Sequence, residues 1–211
     1  MMFKQIDSGG DRNYSYLIWC GDTKLAAVAD PSPDPAPVLK EIGELGIDLR
    51  YIFNTHSHPD HTGGNNFLKE KTNAELVTFK DRGGDIEVED GAVLTVGKVS
   101  CEVIHTPGHT ADSICILTGD NLVTGDTLFV GKVGGTYTED EAKVEFESLK
   151  KLMTLPGHLK VWPGHNYGIA PSSTIENEVK TNPFIMRLGK FEDFLWLKQN
   201  WASFKAEHGI K

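Results

Sequence analysis

A mixed α/β fold, two sheets packed face to face with helices on their outer sides, is predicted by three features of the sequence. Short apolar or alternating runs come in two sets, and each set is followed by a helical stretch. The chain has 211 residues and 39% hydrophobic content, enough to bury a sizeable core as one domain over 1–211. The apolar runs also end repeatedly in glycine- or proline-containing turns that carry histidine or aspartate, as when a rigid scaffold presents loop residues at one rim.

The elements follow in order. Phe3 to Asp7, Tyr14 to Cys20 and Lys24 to Ala29 run apolar or alternate as strands, with a turn at Gly21-Asp22. Pro31-Ser32-Pro33-Asp34-Pro35 then breaks the chain before an amphipathic helix, on which Val38, Ile42 and Leu45 recur at helical spacing. Leu49 to Asn54 reads as a strand and Asn65 to Glu70 as a helix. Leu76-Val77, Val93 to Val96, Val99 to Ile104, Ile114 to Leu117 and Leu122-Val123 make the second set of strands. A helix from Glu139 to Leu152 and the short strand Lys160 to Trp162 complete it. Residues 183–211 form a short helical extension rich in aromatics: Phe184, Leu188, Phe191, Phe194, Leu195, Leu197, Trp201 and Phe204. Its simplest role is to cover one sheet, with Trp196 pointing away; a wall of a substrate cleft or a homodimer contact are the alternatives.

A formal net charge of −9 leaves no basic footprint for nucleic acid or an anionic membrane surface. Cys20, Cys101 and Cys115 stand apart from any Cys-x-x-Cys and read as buried thiols of a reducing compartment. The start, Met1-Met2-Phe3-Lys4-Gln5, has no apolar signal core, and no run reaches membrane-spanning length. A cytoplasmic setting is expected.

The densest chemistry lies in Thr55-His56-Ser57-His58-Pro59-Asp60-His61. Side chains at i and i+2 on extended backbone point the same way, so His56 and His58 can grip one ion, while Asp60 and His61, past the bend, can reach a second. Imidazole with carboxylate suits zinc, iron or manganese, and no cysteine suggests a closed structural zinc site. Downstream, His109 in Thr106-Pro107-Gly108-His109-Thr110, Asp126 in Thr124-Gly125-Asp126-Thr127 and His165 in Pro163-Gly164-His165-Asn166-Tyr167 each follow a short apolar strand and a glycine turn. Any one of them alone reads as a turn former or cap; four such places sharing one logic make seven plausible metal ligands.

These motifs, Thr-His-Ser-His-Pro-Asp-His-Thr-Gly-Gly, His-Thr-Pro-Gly-His-Thr, Thr-Gly-Asp-Thr-Leu-Phe and Pro-Gly-His-Asn-Tyr, resemble those of the metallo-β-lactamase superfamily and, within it, the glyoxalase II-like hydrolases. The resemblance runs from Asn13-Tyr14-Ser15-Tyr16-Leu17 through Thr181-Asn182-Pro183-Phe184. It implies a four-layer αβ/βα sandwich and two divalent ions, zinc first, with iron or manganese as alternatives. It implies that His56, His58 and His109 hold one ion, that Asp60, His61 and His165 hold the other, and that Asp126 bridges. Two adjacent cations lower the pKa of a shared water to give hydroxide near neutral pH. Asp60 and Asp126 are then the catalytic carboxylates, and a small thioester such as a glutathione thioester is the expected substrate.

The same resemblance places a lysine at position 135 and a tyrosine at 137 as glutathione contacts, with a second tyrosine two residues after the last histidine ligand. Here Tyr137 and Tyr167 are present but position 135 is Gly135. Lys132 or Lys143 could stand in, against the simpler reading of each as a solvated lysine. His105 reads as a structural neighbour of the centre, and His158 and His208 as solvated. Three functions follow: a thioester hydrolase, favoured, with lactone or other ester and amide hydrolysis as variants; a persulfide dioxygenase with one iron on His56, His109 and Asp126; and a non-catalytic binding module, against which the intact ligand set argues.

Overall fold

The computed structural model describes residues 1–31 and 33–209. Two six-stranded sheets form its centre. The first holds β1 (Met2–Asp7), β2 (Tyr14–Trp19), β3 (Leu25–Ala29), β4 (Asp48–Phe53), β5 (Glu75–Phe79) and β6 (Ile86–Val88), in that spatial order. β1 to β3 pair antiparallel, and β3 to β6 pair parallel. α1 (Ala36–Leu45) and α3 (Asn65–Thr72) make the crossovers from β3 to β4 and from β4 to β5, whereas β5 reaches β6 through the short loop 80–85. One helical turn, α2 (Pro59–Thr62), precedes α3.

The second sheet takes β7 (Val93–Val96), β8 (Val99–His105), β9 (Ile114–Thr118), β10 (Asn121–Gly125), β13 (Lys160–Pro163) and β14 (Ser173–Thr174), in the order β14-β13-β10-β9-β8-β7. β11 (Leu128–Phe129) and β12 (Lys132–Val133) form a small hairpin, and α4 (Glu139–Leu152) crosses between β12 and β13. After β14 come α5 (Ile175–Thr181), a 3-10 turn Ile185–Arg187, α6 (Phe191–Gln199) and α7 (Trp201–His208).

The burial pattern explains the layering. β2 is buried at every position, as a strand covered on both faces must be. Tyr16 and Ile18 enter the core between the sheets with Phe53, Val103, Ile114, Ile116 and Val123. Leu17 and Trp19, one residue out of phase, face the helices and pack with Val38 and Ile42 of α1 and Leu68 of α3. On the other side Cys115, Leu122 and Val161 meet Phe146 and Leu149 of α4 and Phe194 and Leu197 of α6. The layers therefore run helix, sheet, sheet, helix, the αβ/βα sandwich expected.

Several elements depart from the sequence reading. The run Leu76-Val77 extends to Glu75–Phe79 because the parallel pairing with β4 and β6 continues beyond the apolar pair. β6, β11, β12 and β14 were not foreseen; each has only two or three residues, too few to show a period. α4 starts and stops where expected: Thr138 and Glu141 form a reciprocal capping box at its N-terminus. The tail is broken at Asn200 into two helices rather than one, and Ile210 and Lys211 lie outside the described residues, as does Ser32. Phe184 and Phe194 are fully buried against α4, whereas Trp196 is 49% exposed, as its position on the helix implied. No helix among the described residues is long and apolar enough to cross a membrane.

Candidate metal centre

The seven candidate ligands leave the two sheets at one edge. His56 and His58 follow β4, Asp60 and His61 occupy α2, and His109, Asp126 and His165 follow β8, β10 and β13. β8 and β10 both pair antiparallel with β9, and β10 pairs parallel with β13, so the last three strands run the same way and end together. His58 is the extended residue immediately before α2, and Pro59 sits at the first helical position, where its missing N–H costs nothing. That bend turns Asp60 and His61 back toward the imidazoles.

Three overlapping groups result, each with its ligand atoms within 4.8 Å of one another: His56, His58 and His109; His56, His61 and Asp126; Asp60, His61 and His165. His58 Nδ1 lies 3.0 Å from His56 Nε2 and 3.1 Å from His109 Nε2. His61 Nε2 lies 3.1 Å from His165 Nε2. The Asp126 carboxylate stands between the sets, with Oδ2 at 3.6 Å from His109 and 3.4 Å from His165, and Oδ1 at 3.4 Å from His61. Asp60 Oδ2 is 3.3 Å from His165 Nε2.

The outward nitrogens fix the ring tautomers. His61 Nδ1 donates to Asp30 Oδ2 at 2.9 Å, His165 Nδ1 to the Asp11 carbonyl at 2.9 Å and His109 Nδ1 to the Gly135 carbonyl at 2.8 Å. His56 Nδ1 meets Thr55 Oγ1, whose own hydroxyl hydrogen goes to Asp30 Oδ2. With Nδ1–H committed outward, the neutral form of each of these four rings turns its Nε2 lone pair into the site. Facing lone pairs repel, and a cation between them removes the repulsion. Asp126 Oδ1 is buried without a hydrogen-bond donor, an orphaned anion at the same point. Lone pairs, orphaned carboxylate and the all-imidazole-and-carboxylate donor set fit divalent metal ions.

Electrostatics agree. Burial, with help from the charge of His61, drives the His56 imidazole down to about 2, so it stays neutral and able to ligate. Burial also lowers His109. Burial opposes charge on His61 too, but the carboxylates of Asp30, Asp126 and Asp60 overcome it and push the imidazole up to about 9, so an ion held on its Nε2 has to displace a proton from it. Burial would raise Asp126; His165 against its carboxylate and the charge of His61 instead hold it well below the usual carboxylate range. Positive charge is thus disfavoured on His56 and His109 and favoured on His61, next to the carboxylates.

Supporting residues that the sequence reading did not single out surround the ligands. Asp30, at the end of β3, accepts from Thr55 N at 2.7 Å and from Thr55 Oγ1 at 2.6 Å besides orienting His61. Its place after the apolar run Leu25–Ala29 is the same signal that marked the ligands. Asn13 Nδ2 donates to Asp60 Oδ2 and to the Asp60 carbonyl, both at 3.1 Å. Two glycines allow close approach. A Cβ on Gly164 would overlap Asp126 Oδ1 and His61, and one on Gly108, which has φ +142°, would overlap the backbone of Glu145 on α4. α4 thereby backs the His109 loop, with Ser148 Oγ donating to the Pro107 carbonyl at 2.6 Å.

Tyr167 stacks on His165 at 4.5 Å between ring centroids and donates its hydroxyl to Asp11 Oδ2 at 2.7 Å. Tyr137, by contrast, is 88% exposed on the rim of a cavity lined also by Gly134, Gly135 and Lys198. Lys143 is exposed, as read from sequence, but Lys132 is half-buried, its ammonium 4.9 Å from the Tyr167 ring centre, and so departs from the solvated lysine expected. His105 stacks on Phe79 at 4.0 Å, a structural role. His158 and His208 are exposed.

Residues 6–165 match the family model described as the metallo-beta-lactamase superfamily. The chain is 39% identical over 166 residues to a hydroxyacylglutathione hydrolase of Pelagibacter ubique, covering 74% of this chain and 67% of that protein. It is 32% identical over 212 residues to the probable polyketide biosynthesis zinc-dependent hydrolase BaeB of Bacillus velezensis, covering 94% and 90% respectively. The crystal structure of ETHE1 from Myxococcus xanthus superposes with a TM-score of 0.88 at 33% identity, covering 95% of this chain and 91% of the other. The chain belongs to the metallo-β-lactamase superfamily. It spans about two thirds of the length of the hydroxyacylglutathione hydrolases it matches.

Proposed function

We propose that the chain is a metal-dependent thioester hydrolase of the glyoxalase II type. The observation that carries this reading is the set of inward lone pairs on His56, His61, His109 and His165 around the orphaned Asp126 carboxylate oxygen. His56, His58 and His109 would hold one ion, Asp60, His61 and His165 would hold the other, and Asp126 would serve both, with zinc the first choice and iron or manganese the alternatives. When bound, such ions lower the pKa of water and polarise a carbonyl.

The chain's own residues do the rest. Asp60, held by Asn13, accepts a proton from the attacking water and aims it at the thioester carbon. A C–O bond forms and the C–S bond breaks; a thiolate, stable near neutral pH, leaves without strong acid assistance. Tyr167, braced on His165 and Asp11, and Tyr137 on the rim contact the substrate's thiol half. The chain acts as one domain, in which α6 of the tail after Asn182 covers the second sheet. The buried free thiols of Cys20, Cys101 and Cys115 suit a reducing, cytoplasmic setting. The relatives named as hydroxyacylglutathione hydrolases support glutathione thioesters as the substrate class.

The test is to measure the metal content of protein purified without added metal, then assay S-D-lactoylglutathione for thiol release and glutathione persulfide for oxygen uptake. Two ions per chain with thiol release is the expected result. One iron per chain with oxygen uptake would replace the proposal by the mononuclear reading on His56, His109 and Asp126.

A further inference from the structure

Beside Tyr167 a cavity of about 480 Å³ is lined by three cations, Arg12, Lys132 and Lys205, and one carboxylate, Asp11. In a chain with 21 Lys and Arg against 30 Asp and Glu, this local excess of positive charge runs against the composition. The Arg12 guanidinium lies 4.6 Å from the Tyr167 ring centre and the Lys132 ammonium 4.9 Å from it. Asp11 is already engaged, accepting from the Tyr167 hydroxyl at 2.7 Å and pairing with Arg12 at 3.5 Å. Among the described residues no carboxylate lies within ion-pair distance of Lys132 or Lys205, although most other lysines that pair do so with a neighbouring acid on the surface.

The pocket is built rather than incidental. Glu178, fully buried, accepts from Gly131 N and from Asn182 Nδ2, both at 2.9 Å, and Asn182 also donates to the Lys132 carbonyl at 3.2 Å. These bonds fix the backbone that carries Lys132. Burial first, and then the proximity of Lys205 and Arg12, lower the Lys132 ammonium, as expected of cations gathered without enough counter-charge. Tyr167, which lines the cavity, stacks on His165, so the cavity lies one ring away from the candidate metal centre. The residues come from three separate places: the loop before β2, β12 and α7. None stands at position 135 or 137.

We infer that Arg12, Lys132 and Lys205 form a binding site for an oxyanion, carboxylate or phosphate, carried on the thiol half of the substrate. The inference rests on the thioester-hydrolase reading for its substrate, but not for the existence of the anion site. Tyr167 links the two regions: one face stacks on His165, and its ring lies under the two cations. An acyl thioester at the centre then extends its thiol carrier along Tyr167 and ends with its anion among the three side chains. Charge at this end selects carrier thioesters over neutral ones and contributes chiefly to binding.

The experiment compares the wild type with Lys132→Gln/Lys205→Gln, and with Lys205→Glu, which reverses a single cation. Kinetics use S-D-lactoylglutathione, a carboxylate carrier; acetyl-pantetheine 4′-phosphate, a phosphate carrier; and an N-acetylcysteamine thioester, which is neutral. Calorimetry measures binding of S-methylglutathione and of pantetheine 4′-phosphate at low and at 0.5 M salt. The expected result is at least a tenfold fall in kcat/KM for one anionic carrier relative to the neutral thioester, mainly through KM, with matching loss of binding and salt sensitivity in the wild type. Whichever carrier shows the fall identifies the anion. An unchanged ratio of anionic to neutral turnover in both variants would overturn the site while leaving thioester hydrolysis standing. Salt-sensitive binding lost in the variants, with no thioester cleaved by any form, would keep the anion site and overturn the hydrolase reading.

Discussion

Replacing Lys198 with methionine strips the ammonium from a carboxylate that has no route to water. Glu145 of α4 is fully buried; Oε2 is held by Lys198 of α6, and Oε1 has no hydrogen-bond partner. Burial pushes the Glu145 carboxyl up to about 7, in spite of the attraction of Lys198. The unfolded chain ionises this carboxyl above about 4.5, while the native chain resists until about 7. Between those values the unfolded state binds fewer protons than the native state, so stability falls as pH rises, by up to about 1.4 kcal/mol per unit. In the wild type that decline ends near pH 7. Without Lys198 nothing offsets burial, the native carboxyl titrates higher still, and the decline continues. Lys198→Met should therefore cost about 1.5–3 kcal/mol at pH 6, the loss of hydrogen bonding by a charged group. At pH 8.5 the gap should widen by up to about 2 kcal/mol, one and a half further units at about 1.4 kcal/mol each. Urea unfolding of both proteins at pH 6, 7 and 8.5 measures it. A gap that is the same at all three pH values would refute the reasoning. The double variant Glu145→Gln/Lys198→Met should abolish the widening. Lys198 also donates to the Gly134 carbonyl at 2.9 Å, next to the Gly135 carbonyl that orients His109, so activity should fall together with stability.

Asp126→Ala should abolish activity and lower metal content while circular dichroism stays native; full activity would contradict a carboxylate spanning the two imidazole groups. Asp30→Asn, which removes the anion behind His61 and Thr55, should weaken metal affinity by roughly 10–100-fold, read by competition with a chromophoric chelator. Gly164→Ala should displace Asp126 and His61 and cost most of the activity, with metal content falling in step; an active, fully loaded variant would show that the close approach is not needed. Removing metal with a chelator should lower the melting temperature and abolish hydrolysis, and zinc should restore both, because the facing imidazoles lose the cation that offsets their repulsion.

The legible parts of this molecule are those in which local chemistry repeats. α4 was legible as a helix from about Glu139 to Leu152, and the structure shows why its ends fall there: Thr138 and Glu141 cap it, and Phe146, Leu149 and Leu152 recur on its buried face. The seven candidate ligands stood out because each follows a strand and a glycine turn, or shares the run from His56 to His61. Asp30 was missed although it follows the same kind of strand, since a single aspartate before a proline-rich break looks like a turn former. The short strands β6, β11, β12 and β14 were missed because their pairing partners, not their own two or three residues, make them strands. Lys132 looked solvated because nothing local reveals that Glu178 and Asn182, far along the chain, hold its backbone under Tyr167.

Sequence alone determined the donor inventory and the fold layers, because metal-ligand chemistry and the periods of strands and helices are written over a few neighbouring residues. Tertiary structure decided which nitrogens face inward, which carboxylate lies between the imidazole sets, and where three cations gather beside Tyr167. Those outcomes depend on strands from two sheets ending at one edge, and on distances between residues as far apart as Asp11 and His165. Long-range packing sets such distances, and no local pattern encodes them.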